Sequence, residues 1–391
     1  MDFELWWLLS LPLFFGLGWL AARIDIKHLV HESRSLPRSY LLGLNFLLNE
    51  QPDKAIDSFL EAVQIDPQTV ELHFALGSLF RRRGELDRAI RIHQSLVDRE
   101  DLSPEQRLQA LAELGEDYLK AGLLDRAENV YLGLRGTARS EAANDALLEI
   151  YQQEKNWPRA IEIARDMPRR GSHRWEIDIA NFYCEIAATA LAHSEFDEAH
   201  RQIALALESN RKCVRASLLL GEVLVAQGKD AEAVAAWQEI GLQDPTYLSL
   251  VAERLMDAQR RLGQEEKGAQ FLRTHLGQTP SLDLLEIVFK WEIEKQGPEA
   301  AYALVRDELK RNPTMLGLEK LLEAAIHTVD GERKGDVELV KGLIHGHTRR
   351  VARYCCKDCG FKARQFYWRC PACGGWETYP PKRTEEFDLA V

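Results

Sequence analysis

The hydrophobic pattern changes character three times along the chain. From Leu5 to Ala22 the residues LWWLLSLPLFFGLGWLAA carry no charge. Wound as a helix, this stretch spans about 27 Å, close to the hydrocarbon thickness of a bilayer. Trp6, Trp7 and Trp19 stand near its ends, where indole rings favour the headgroup region. The pattern predicts a transmembrane anchor over residues 1–22. A cleaved signal peptide would open with basic residues and close on a small-residue site, whereas this stretch opens with Asp2 and Glu4 and runs into Arg23. Arg23, Lys27, Arg34 and Arg38 follow the apolar run and no Lys or Arg precedes it, so the positive-inside rule puts the bulk of the chain on the cytoplasmic side. Residues 23–38 read as a juxtamembrane linker with Pro37 near its end.

Beyond the linker, apolar residues recur at helical spacing, and the pattern repeats itself. Gly43 and Gly77 stand 34 residues apart, as do Ala55 and Ala89. The frame Leu42-Gly43, Phe46, Ala55, Phe59, Ala62 returns as Leu76-Gly77, Phe80, Ala89, His93, Leu96, then as Leu114-Gly115, Tyr118, Ala127, Tyr131, Leu134. It returns again around Tyr151 and Ala160, around Ala187 and Ala199, and at Leu220-Gly221, Leu224, Ala233, Trp237, Ile240. Weaker copies surround Leu255 and Val288. Small residues at fixed offsets let two helices of a hairpin approach closely, and the large ones fill the gap to the next hairpin. Gly84, Gly122, Gly228 and Gly263 fall between the helices, and Pro67, Pro245 and Pro280 close repeats.

This pattern resembles the tetratricopeptide repeat (TPR) family over residues 39–313, with a ninth helical pair at 315–326 and 336–345. The resemblance implies an all-α TPR solenoid of about 8–9 helical hairpins over residues 39–345, whose stacked units offer an extended surface to proteins or peptides. First-helix positions facing that surface are Tyr40, Leu44, Phe74, Ser78, Arg81, Arg82, Glu116, Leu218 and Glu222, the candidate partner groove. The paired Lys and Asn that chaperone-docking members use to hold a terminal carboxylate are missing from these slots.

Near the C-terminus the helical period gives way to aromatics and cysteines. Cys356-Lys-Asp-Cys359-Gly360 is followed by Cys370-Pro-Ala-Cys373-Gly374. Two C-x-x-C knuckles present four thiolates tetrahedrally, as Zn²⁺ or Fe prefers. The expected ligands are therefore Cys356, Cys359, Cys370 and Cys373, holding one Zn²⁺ or Fe ion, with Cys355 as a spare thiol. The knuckles resemble rubredoxin-type and zinc-ribbon modules, a small β domain within residues 346–391. Phe361, Phe366, Tyr367, Trp368, Trp376 and Tyr379 surround them and are expected to form the module's miniature core.

Composition then removes several alternatives. A net charge of −11 over 391 residues argues against nucleic acid as the partner, although residues 345–391 carry nine Lys/Arg against five Asp/Glu. Seven cysteines are too sparse for a disulfide framework, and five of them fall between Cys355 and Cys373, as a metal site requires. The chain contains no G-x-S-x-G, H-E-x-x-H or G-x-x-x-x-G-K-[ST] motif, so no catalytic residue is assigned and an enzyme is not expected.

The order of these parts, and above all Tyr354-x-Cys356-x-x-Cys359-Gly360-Phe361 and Tyr367-Trp368-x-Cys370-Pro371-x-Cys373, resembles the lipopolysaccharide assembly protein B family of Gram-negative bacteria over the whole chain. That resemblance implies a single-pass inner-membrane adaptor. Such an adaptor helps the membrane AAA+ protease FtsH degrade LpxC, the deacetylase committing carbon to lipid A. It also implies scaffolding of lipopolysaccharide-synthesis enzymes and opposition by a membrane sensor of lipopolysaccharide level. A second copy of the chain is a further candidate partner. Two other readings stay open on the residues alone: an electron-transfer protein with an Fe–Cys₄ centre, and an RNA-associated zinc ribbon.

Overall fold

The computed structural model describes residues 38–65, 69–168, 175–329, 331–351 and 354–384. The expected anchor, most of the linker and Pro67 lie outside these residues. Among those described, no helix is long and apolar enough to cross a membrane.

The chain divides into two compact units, residues 1–150 and 151–391. Unit 1 contains α1 (Arg38–Leu48), α2 (Pro52–Ile65), α3 (Val70–Arg83), α4 (Leu86–Val97), α5 (Pro104–Lys120), α6 (Leu124–Leu134) and most of α7 (Ser140–Gln153). Unit 2 continues with α8 (Trp157–Asp166), α9 (Trp175–Ala192), α10 (Phe196–Ser209), α11 (Val214–Ala226) and α12 (Asp230–Gln243). A 3₁₀ segment, Pro245–Leu250, leads into α13 (Ala252–Arg261) and α14 (Glu265–Gln278). α15 (Leu282–Lys295), α16 (Pro298–Arg311), α17 (Met315–Thr328) and α18 (Glu332–Val351) complete the helices. Two short antiparallel strands follow, β1 (Tyr354–Cys355) and β2 (Lys362–Ala363), with Tyr354 opposite Ala363. The architecture is a mostly helical TPR-like solenoid with a small two-stranded C-terminal module.

The hairpin frame has a simple steric origin. Gly43, Gly77, Gly115 and Gly221 each face the ring sixteen residues on: Phe59, His93, Tyr131 and Trp237. A Cβ on Gly43 would come within 2.6 Å of the Phe59 ring, and one on Gly115 within 2.9 Å of Tyr131. Only glycine lets these helices close on their aromatic partner. Phe59, Ala55, Leu72 and Ala89 are buried in one core of unit 1, and Trp237, Ala233, Leu255 and Leu272 in the core of unit 2. The turns are less uniform than glycine alone suggests. Gly84 closes α3 with φ 82°, yet Glu50, Lys155 and Ser194 adopt the same left-handed conformation in the corresponding turns. Those three residues tolerate the strain because the flanking helices hold the turn closed.

His93 makes the second ring slot polar, and the fold compensates. Its Nδ1 lies 2.5 Å from Asp117 Oδ2, both residues being fully buried, and Arg81 Nη1 donates to Asp117 Oδ1 at 2.7 Å. Arg81 also donates to Glu113 Oε2 at 2.6 Å, which ties α3 to α5. A lone buried carboxylate would cost several kcal/mol, whereas one met by two cationic or N–H partners is roughly offset. α18 extends past the expected 345 to Val351, because His345 and Thr348 both reach Glu319 of α17, at 2.7 and 2.8 Å.

Gly221→Ala pushes a methyl into the Trp237 indole, whose Nε1 donates to the Leu218 carbonyl at 3.1 Å. Overpacking of this kind costs about 1–3 kcal/mol. Urea unfolding of the purified protein should show a lowered midpoint, and an unchanged one would contradict this close packing.

Candidate metal centre

Each knuckle closes through its glycine. Gly360 N–H donates to the Cys356 carbonyl at 3.0 Å and Gly374 N–H to the Cys370 carbonyl at 2.9 Å, with φ of 74° and 73°. These turns bring the four sulfurs of Cys356, Cys359, Cys370 and Cys373 within 4.8 Å of one another. Cys356 Sγ is 3.8 Å from Cys373 Sγ, and Cys359 Sγ is 3.7 Å from Cys370 Sγ. A tetrahedron with metal–sulfur bonds of about 2.3 Å has edges of about 3.8 Å, so the spacing suits a four-thiolate ion. Cys355 stays outside the set, its sulfur 3.6 Å from the Cys356 carbonyl.

The electrostatics point the same way. Burial pushes the Cys356 thiol up, but the Thr378 hydroxyl and the N–H groups of Cys359 and Asp358 outweigh it and bring the thiol down to about 6. At Cys359 the Phe361 N–H favours the thiolate. Desolvation and the three neighbouring sulfurs win instead and push it up to about 12. Cys373 is pushed up as well, first by burial. Four thiolates this close repel one another, and a bound cation is what would let all four sulfurs carry charge together.

The expected aromatic core divides in two. Tyr354, Cys356, Cys370 and Tyr379 form the buried centre of the ribbon, with Phe361, Phe366 and Tyr367 against it. The Tyr379 hydroxyl accepts from Ala363 N–H at 2.9 Å and donates to the Tyr354 carbonyl at 3.1 Å. Trp368 and Trp376 leave this centre and pack against the helical part of unit 2, Trp368 on the 3₁₀ segment and Trp376 on α9. Trp368 stacks on Tyr247 at 5.6 Å and 5°, and Trp376 meets Phe182 edge-on at 6.0 Å. The Arg215 guanidinium lies 5.7 Å from Trp368 and 5.6 Å from Trp376, held by Glu185 at 2.7 Å. Asn181 Nδ2 donates to Glu377 Oε1 at 2.9 Å. Asp283 accepts from the Tyr354 hydroxyl at 2.7 Å and from Arg383 Nε at 2.9 Å.

The nine candidate groove residues are shared between the units. Tyr40 and Leu44 lie on α1, Phe74, Ser78, Arg81 and Arg82 on α3, and Glu116 on α5. Arg81 is engaged by Glu113 and Asp117 and approaches Glu116 at 3.3 Å, while the Phe74 ring lies 6.2 Å from His93. Leu218 and Glu222 lie on α11 of unit 2. With Arg215, Arg254, Phe366 and Trp368 they line a cavity of about 280 Å³, bounded by helix on one side and ribbon on the other. Glu222 is paired with Arg254 at 2.5 Å. Sequence reading missed Arg215, Tyr247 and Asp283 as parts of this site. The available signal was an excess of aromatics over what so short a ribbon can bury.

Residues 354–381 match the rubredoxin metal binding domain, and residues 40–104 and 184–245 match the tetratricopeptide repeat. Lipopolysaccharide assembly protein B of Escherichia coli strain K12 is 37% identical over 379 residues, spanning 96% of this chain and 97% of that protein. The Haemophilus influenzae protein of the same name is 34% identical over 394 residues, spanning 97% and 98%. Among solved structures, a tetratricopeptide repeat protein from Parabacteroides merdae covers 75% of this chain and all of its own at 17% identity, with a TM-score of 0.30.

Two outcomes are expected. Cys356→Ser or Cys370→Ser should abolish the metal content of purified protein measured by mass spectrometry, and undiminished metal would contradict the ligand set. Burial, aided by Asp178 and Asp244, holds the Glu377 carboxyl above its ordinary range against the opposing Asn181 and Arg215. A raised carboxyl favours the fold below its unfolded value, and that contribution is lost as pH rises through the folded one. Glu377→Gln retains an oxygen for Asn181, so it should raise Tm at pH 7 and lose the advantage below about pH 4.5. A lower Tm at pH 7 would show the charge itself to be needed.

Proposed function

The chain belongs to the lipopolysaccharide assembly protein B family, and on that footing we propose that it is a non-enzymatic, membrane-anchored adaptor in lipopolysaccharide assembly. The observation that carries this reading is the use made of the first helices. In unit 2 they receive the ribbon, and in unit 1 the corresponding helices α1, α3 and α5 carry Leu44, Phe74, Ser78 and Arg82, the residues we assign to a client. An apolar stretch at Leu5–Ala22 would confine the chain to the inner membrane with its bulk in the cytoplasm, where a membrane-bound protease is also confined. Sharing a plane raises effective concentration without any new contact.

In the finer form of the proposal, the adaptor presents the deacetylase LpxC to FtsH, gathers synthesis enzymes and answers to a membrane sensor of lipopolysaccharide level. The ribbon holds one Zn²⁺ or Fe ion in a structural role. An RNA-binding ribbon is less well supported, because Trp368 and Trp376 face helices and Arg383 is paired with Asp283.

Deleting Leu5–Ala22 should leave a folded, soluble protein that no longer shortens the lifetime of the deacetylase in cells. Pulse-chase measurement of that lifetime tests the anchor, and full regulation by the deleted form would overturn it. A photoreactive residue at Phe74 should capture the client from membranes, and capture of the protease alone would reverse the assignment of faces.

A further inference from the structure

Besides Phe366 and Arg383, the ribbon residues that meet the helices of unit 2 stand next to its cysteines. Tyr354 lies two residues before Cys356, and Trp368 two before Cys370, while Trp376 and Glu377 follow Cys373 within four. The turn from Cys373 to Tyr379 belongs to both structures at once. On the cluster side, Cys370 N–H donates to the Gly375 carbonyl at 2.9 Å and Lys357 N–H to the Thr378 carbonyl at 2.8 Å. Thr378 Oγ1 also lies 3.4 Å from Cys356 Sγ. On the helix side, the same turn sends Trp376 against Phe182 and Glu377 to Asn181. Glu377 sits at φ 56°, a left-handed conformation that a non-glycine residue holds only when its surroundings impose it.

The ribbon has little else to impose it. Its regular structure is two strands of two residues each, and its buried centre is four side chains, two of them cysteines. A module of this size depends on its ion for a fixed fold. We propose that the metal is the latch of an internal lock: loaded, it holds the ribbon on the face of unit 2 that carries Asn181, Arg215, Tyr247 and Asp283, and its loss unseats the ribbon and uncovers Tyr247 and Arg215. This rests on the reading of the four cysteines as a metal site and adds that the site controls access to a surface. By linkage the coupling is reciprocal, so a seated ribbon binds its ion more tightly than an unseated one.

The test uses the full chain, purified under anaerobic reducing conditions, with metal content measured at every stage. Removing the ion with a chelator should raise hydroxyl-radical labelling of Tyr247 several-fold, leave Tyr131 of unit 1 unchanged, and be reversed by zinc alone. Reciprocally, Tyr247→Ala should weaken zinc affinity about tenfold in competition with a chromophoric chelator. Asp283→Asn provides the same comparison should Tyr247→Ala lose helicity by circular dichroism. Departure of the metal with Tyr247 still protected would overturn the latch while leaving the metal site intact. Parental zinc affinity in a folded seat variant would also overturn it. A chain that never takes up zinc or iron would refute the metal reading itself, and the latch with it.

Discussion

Four cysteine sulfurs held within 4.8 Å of one another are the constraint on which the C-terminal part of this molecule depends. Thiolates so close repel one another, and a cation between them offsets that repulsion. The geometry therefore calls for a cation, and the knuckle glycines, the short strands and the Tyr379 hydroxyl are arranged around that demand. What the ribbon does next follows from its size. It cannot bury six aromatic rings within itself, so two tryptophans cover, and are covered by, the helices of unit 2.

A second constraint governs the helical part. In four hairpins a first-helix glycine meets a ring sixteen residues on, and the chemistry of that ring then dictates its surroundings. Phe59 asks for apolar neighbours and finds them. Trp237 needs an acceptor and takes the Leu218 carbonyl. His93 needs a polar partner and finds buried Asp117, which half-buried Arg81 ties in turn to Glu113. Removing one member would strand the others, which makes this network a point of vulnerability where the apolar slots tolerate more.

The two units put the same kind of surface to different use. In unit 2 the helical part is already engaged by the chain's own ribbon, through stacking on Tyr247 of the 3₁₀ segment, cation–π contacts at Arg215 of α11 and paired hydrogen bonds at Asp283 of α15. In unit 1 part of the corresponding surface is internal, with Arg81 held by Asp117, while Arg82 and Ser78 stand one turn apart on α3.

Much of this was legible in the residues because it is written locally. A helical period, a 34-residue repeat with Gly43 and Gly77 in register, and two C-x-x-C-G knuckles each depend on neighbours a few positions apart, and steric or coordination geometry makes their meaning nearly unique. Other features were beyond that reach. That Glu50, Lys155 and Ser194 turn left-handed where glycine does elsewhere depends on helices on either side. That Trp368 abandons the ribbon for Tyr247, or that Arg383 finds Asp283, depends on partners more than ninety residues away in sequence. Local periodicity and ligand spacing define the parts by themselves. Only the folded chain decides which polar atom meets which across that distance, because such pairings are selected by the total burial and hydrogen bonding of the whole arrangement and leave no periodic trace.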